Sequence, residues 1–273
     1  MNPKHISLLG ISVCLLLFIV GILIGHGQTL LLNLEGWLIV VAGTLGAAFI
    51  SYPYNSLGIS LRVAINSYTS QTPTAREIVA SLLQLSMLSK MDGLLALEEG
   101  GERASVLFLK RALAILVDGF SVDEIRDVLY TEISFFQQRR AIQARVFRHM
   151  AILAPAFGLI GSIINVATLQ ASTGSNGFVF DAIVLSSILY GIILAAFVFL
   201  PISENIHAKT REELLIHKLI AEGVILIAQE YNTVRLQTRL QSFITPYERD
   251  VQHLSVKEIR DRYEEFKSAR EQH

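Results

Sequence analysis

Hydrophobic side chains in this chain come in long unbroken runs, separated by charged segments with helical periodicity. Four stretches contain no Lys, Arg, Asp or Glu: 6–33 (apolar over about 6–25), 36–51, 151–180 and 182–203. A helix needs about 20 apolar residues to cross the hydrocarbon of a bilayer. The runs therefore predict four transmembrane helices, at roughly 6–26, 35–53, 150–171 and 181–202. The second is the shortest. Trp37 at one end and Tyr52 and Tyr54 at the other support a span, because amphipathic aromatics sit at headgroup level. The first run is longer than the apolar part of a signal peptide and no small-x-small cleavage site follows it, so it is read as retained.

Between the runs the pattern is that of amphipathic helices. Residues 55–68 continue inward from the second span, and Thr72-Pro73 breaks them. Thr74 and Glu77 have capping-box spacing, with Ile78, Leu82, Leu85 and Leu88 following at helical intervals. Lys90-Met-Asp-Gly93 is a turn signal, 94–98 is short and amphipathic, and a helix over 102–117 stops at Asp118-Gly119. Ser121 and Glu124 form a second capping box, opening a helix that runs to about 149 and on into the third span. The fourth span likewise continues over 204–230, and 234–244 forms a further short helix before Pro246. The expected fold is all-α: a polytopic membrane protein with four transmembrane helices and a helical cytoplasmic domain. Its parts are a hairpin (1–54), a cytoplasmic helical domain (55–148), a second hairpin (149–203) and a helical tail (204–273).

Composition agrees. The chain is 52% hydrophobic and 17% charged, against about 25% charged in soluble domains. Of its 23 Lys and Arg, eleven lie in 55–148, eleven in 204–273, and the last is Lys4. Basic residues stay on the cytoplasmic side, which puts both termini and the 55–148 segment in the cytoplasm, with only two short turns outside. The net charge of −1 gives no reason to expect nucleic acid. The lone Cys14 is an apolar filler within the first span. There is no phosphate loop, no Cys/His cluster with metal spacing and no G-x-S-x-G, so neither an enzyme nor a cofactor or metal is expected.

The second hairpin carries the candidate chemistry. Pro155, Gly158, Ser162 and Asn165 fall on one face of the third span, at i, i+3, i+7 and i+10. Ser187, Gly191 and Ala195 make a similar line on the fourth, and Pro201 stands near its inner end. Small and hydroxyl side chains allow close helix packing. They also suit the wall of an ion path, and a proline frees a carbonyl or makes a hinge. Such a path needs a titratable group inside the bilayer, and these spans have none; Asp181 sits only at the outer edge. If ions pass, the carboxylate comes from another polypeptide.

The run Ala154-Pro-Ala-Phe-Gly-Leu-Ile-Gly-Ser162, followed by Leu189-Tyr-Gly191 and Pro201, resembles the MotA/PomA stator subunits of the bacterial flagellar motor. The resemblance extends to 38–41, to Gly93-Leu-Leu-Ala-Leu-Glu-Glu99 and to 113–119. The Pro-Ala-Phe-Gly part alone is shared loosely with TolQ/ExbB energisers of periplasmic proteins. The MotA/PomA resemblance implies an inner-membrane homopentamer around a MotB/PomB-type partner with a single span and an essential Asp. Ion flow would drive the rotor protein FliG. It also implies ion-path roles for Pro155, Gly158, Ser162, Asn165, Ser187, Gly191 and Pro201, and rotor-contact roles for Lys90, Glu98 and Glu99. Sodium-using members tend to carry hydroxyls at three lining positions, here Ser162, Ser187 and Ile188; the isoleucine offers no oxygen, which favours H⁺ over Na⁺. Lys90 stands where Arg is usual, and Asn33 where relatives often have an acid.

Overall fold

The computed structural model describes residues 20, 33–98, 106–173, 182–229 and 232–243. Among them every regular element is helical. The expected first span lies outside the described residues except for Val20. Three helical stretches among the described residues are long and apolar enough to cross a membrane: Leu34–Ser51, Val122–Ala171 and Leu185–Ala228.

The described residues fall into two compact units, one drawn from 1–65 and 143–205, the other from 66–142 and 206–273. Helix α1 covers Leu34–Ser51 and α2 covers Tyr54–Thr69. Pro53 separates them: the residue before a proline is driven out of the helical region, and Tyr52 is extended at φ −132°, ψ 140°.

Helix α3, Ala75–Asp92, opens on the expected capping box, with Thr74 and Glu77 each bonding the other's backbone N–H. Gly93 ends it at φ +82°, a conformation that favours glycine, and a 3₁₀ turn over Leu94–Ala96 follows. Helix α4, Leu107–Val117, stops before Gly119 at φ +81°. Helix α5 then runs unbroken over Val122–Thr173. Its start is the second expected box: the Ser121 N–H donates to the Glu124 carboxylate at 2.9 Å, and the Glu124 N–H to Ser121 Oγ at 3.4 Å. The fourth-span region comprises α6 (Ala182–Leu194), a π-helical turn (Ala195–Phe199) and α7 (Leu200–Ala228). The short α8, Thr233–Gln241, is capped by Asn232, which accepts from the Val234 N–H at 3.1 Å.

The second unit has a continuous apolar core. Leu82 and Leu83 of α3, Leu113 of α4, Leu129 of α5, Leu219 and Ile220 of α7, and Leu236 and Leu240 of α8 are all nearly inaccessible. Each such side chain stabilises the fold by roughly 1.5–3 kcal/mol relative to exposure. Gly223 lets α7 approach α3, since a Cβ there would stand 2.5 Å from Leu82 Cδ1.

Candidate ion-path hairpin

Within the first unit, α5 and α6 meet almost backbone to backbone. A Cβ on Gly158 would lie 2.7 Å from the Ser187 carbonyl oxygen and 2.9 Å from Ile188 Cα. One on Gly161 would lie 2.9 Å from Ser187 Cβ, and one on Gly191 would run into the Ala154 carbonyl and the Pro155 backbone. Gly36 of α1 faces Ser187 just as closely. Glycines from two helices thus enclose Ser187, which is fully buried.

The polar side chains of this seam bond to one another. Asn165 Nδ2 donates to Ser187 Oγ at 3.1 Å, and the Ile188 N–H donates to Ser162 Oγ at 3.2 Å. Ser162 is 6% exposed and Asn165 7% exposed, so both are spent on the contact between α5 and α6 within the chain. The i, i+3, i+7, i+10 face read from the sequence is therefore the face α5 turns toward α6. Its other side, with Ile152, Leu159 and Ile163, is exposed and apolar. Of the candidate residues, Gly158, Ser162, Asn165, Ser187 and Gly191 are brought together here, Pro155 is half-buried, and Pro201 is exposed.

A second polar cluster joins α1 to α6. Asn33 accepts from the Gly36 N–H at 3.0 Å through Oδ1, and its Nδ2 donates to Ser186 Oγ at 2.8 Å. The Asn33 N–H donates to the Tyr190 hydroxyl at 3.2 Å, and the Tyr190 ring stacks on Trp37 with centroids 4.7 Å apart. Ser186 and Tyr190 are both fully buried. Neither is among the path candidates drawn from the sequence, although a serine and a tyrosine four residues apart in an apolar run mark a polar face beside that of Ser187 and Gly191.

Both prolines interrupt regular helix bonding. Pro155 lies inside α5 and has no N–H to give the carbonyl four residues earlier. Pro201 follows the π-helical turn, where the Leu200 N–H reaches back five residues to the Ala195 carbonyl. The wider turn leaves room for the proline ring. Two residues on, buried Ser203 donates through Oγ to the Ala144 carbonyl at 3.0 Å, pinning α7 to α5. At the same end Tyr52 meets His149 edge to face, centroids 5.8 Å apart.

The rotor-contact candidates belong to the second unit. Lys90 is exposed in the last turn of α3, and Glu98 is exposed just after the 3₁₀ turn. Met91 and Leu95 are exposed between them, and Leu97 is buried as the anchor. Glu99 lies outside the described residues. Among the described residues no cluster of His, Cys, Asp and Glu could hold a metal ion.

The model of the MotA/TolQ/ExbB proton channel family matches residues 102–218. The uncharacterised protein YtxD of Bacillus subtilis is 28% identical over 258 residues, covering 93% of this chain and 95% of that protein. Motility protein A of Borreliella burgdorferi is 31% identical over 185 residues, covering 66% of this chain and 70% of that protein. The flagellar MotAB stator complex of Bacillus subtilis contains a chain of the same fold, with a TM-score of 0.80 and 24% identity over 89% of this chain and 96% of that one. The glycine-tight, uncharged hairpin and these relatives agree: the chain belongs to the MotA/TolQ/ExbB proton channel family, as a member of the motility protein A type.

Proposed function

We propose that this chain is an ion-conducting stator subunit of the bacterial flagellar motor, coupling H⁺ flow to torque on the rotor. The observation that carries the reading is a hairpin with a polar, glycine-lined seam and no Lys, Arg, Asp or Glu over 151–180 or 182–203. A proton cannot dwell on serines and an asparagine, so the working carboxylate belongs to a second chain, a MotB-type protein with one span. The chain sits in the inner membrane with both termini cytoplasmic, in a ring of five around that partner. Because Ser162 and Ser187 already hold Ile188 and Asn165 in place, they support the geometry of the path more than the coordination of a dehydrated cation. Pro155 and Pro201 supply the hinges, and Lys90, Glu98 and Glu99 meet the rotor protein FliG.

Swimming of a strain that depends on this subunit tests the reading. Speed is expected to persist in sodium-free medium, to collapse with Pro155→Ala, and to fall with Glu98→Lys and recover in part when a rotor charge is reversed. Motility lost in sodium-free medium would overturn the choice of H⁺. Full motility of the Pro155→Ala strain would remove the role given to the hairpin.

A further inference from the structure

A concavity lies within the second unit, where α8 flanks Glu222 of α7. It is an open groove of about 530 Å³. Along one side run Arg235, Thr238, Arg239 and Ser242, all exposed. Positions 235 and 239 are one helical turn apart, so the two guanidinium groups rise from the same side of α8. The opposite side of α8 is taken by Leu236 and Leu240, which are buried in the core and fix the orientation of the helix. Neither arginine forms an ion pair among the described residues, whereas Arg111, Arg126, Arg140 and Lys209 do.

The one carboxylate in the lining, Glu222, forms no ion pair with either arginine. Glu222 accepts a 2.7 Å hydrogen bond from the Tyr130 hydroxyl. Burial first, and then the Glu222 carboxylate, push the Tyr130 phenol up to about 12, so it remains a donor at any cellular pH. Val234 and Phe243 complete the groove with apolar surface, and Val234 is 51% exposed. The groove thus offers two planar cationic forks and an apolar strip; the Thr238 and Ser242 hydroxyls between them donate to the Val234 and Arg239 backbone carbonyls, at 3.0 and 2.7 Å. Guanidinium forks match phosphate oxygens bidentately, and a concavity of about 300–1,000 Å³ is of ligand size.

We infer that this groove binds a soluble organic phosphate, its phosphate held by the Arg235 and Arg239 guanidinium groups and its planar apolar part resting on Val234 and Phe243. Because α8 shares its core with α3, which ends at Lys90, an occupant would bear on the surface assigned to the rotor.

The test uses the full-length chain purified in detergent, with a fluorescent trinitrophenyl derivative of ATP as the probe. Binding is expected to saturate and to be displaced by ATP. Pyrophosphate, which has nothing to place on Val234 and Phe243, should displace it less well, and adenosine not at all. Arg235→Gln with Arg239→Gln should weaken binding about tenfold or more, and the paired lysine variant should fall between, keeping charge but not the fork. Both arginines are exposed, so the variants are expected to melt like the parent. Absence of saturable binding, equal binding by the glutamine variant, or displacement by adenosine overturns the inference. Pyrophosphate matching ATP overturns the part given to Val234 and Phe243.

Discussion

Gly158→Ala is the sharpest probe of the α5–α6 seam. Its methyl would stand 2.7 Å from the Ser187 carbonyl oxygen, where ordinary contact begins at 3.4 Å. Both obstructing groups are backbone, so no side chain can turn aside; α6 must retreat by the difference, about 0.7 Å. A radial gap of about 0.5–1 Å forfeits a quarter to a half of each dispersion contact along the seam. The same shift stretches the Asn165–Ser187 bond from 3.1 Å to about 3.8 Å, past hydrogen-bonding range. Overpacking of this kind costs about 1–3 kcal/mol, and the lost bond about 0.5–1.5 kcal/mol more. Gly46→Ala is the matched control, since a Cβ there meets nothing within 4 Å. Thermal unfolding of the detergent-purified chain, followed by circular dichroism, should show a clearly lower midpoint for Gly158→Ala alone. Coincident melting curves for the two variants would refute the backbone-close seam.

Two further outcomes follow, one from a side chain in each unit. Burial between Phe108 and Phe136, at 4.5 and 4.8 Å, lowers the His217 pKa below its ordinary 6.5; the Glu132 charge opposes this and Arg140 adds to it. The unfolded chain therefore takes up that proton at higher pH than the folded one, and stability is full above about pH 6.5 and declines as pH falls through it. Unfolding midpoints at pH 7.5 and pH 5.5 should differ less in His217→Gln than in the parent, and an unchanged difference would contradict the assignment. Asn33→Ala removes both the cap of α1 and the bond to Ser186 and should cost about 1–2 kcal/mol. Asn33→Asp keeps the capping acceptor and can receive the Ser186 hydroxyl, so its melting midpoint should stay close to that of the parent.

Much of the architecture is readable in the chain because it depends on neighbours in sequence. The boxes at Thr74/Glu77 and Ser121/Glu124 link residues three apart, and both open helices in the structure. Gly93 and Gly119 mark turns for the same local reason. The continuous helix from Val122 to Thr173 follows from periodicity running into an apolar run. Periodicity also finds the face that bears Gly158, Ser162 and Asn165, because a single helix defines it. What that face touches is not local. Ser187 lies 22 residues from Asn165, and Ser186 lies 153 from Asn33. A hydroxyl lining a path and one bonding a neighbouring helix carry the same sequence signal. The groove beside α8 is hidden for a related reason, since Glu222 and Arg239 belong to different helices and come together only through the core.

The π-helical turn at Ala195–Phe199 also sets the phase of everything after it. Each α-helical residue turns the chain by about 100°, and the π turn holds one residue more than an α turn. Removing a single residue from 195–199 would therefore heal the helix while swinging the following segment by roughly that angle. Hydrogen bonding along the axis would improve, yet Ser203 would no longer face the Ala144 carbonyl it now meets at 3.0 Å. The insertion works as a rotational offset: the upper part of the helix can follow the seam with α5 and α1 while the part below Pro201 presents a different side. A shorter, more regular helix here would be a better helix and a misaligned one.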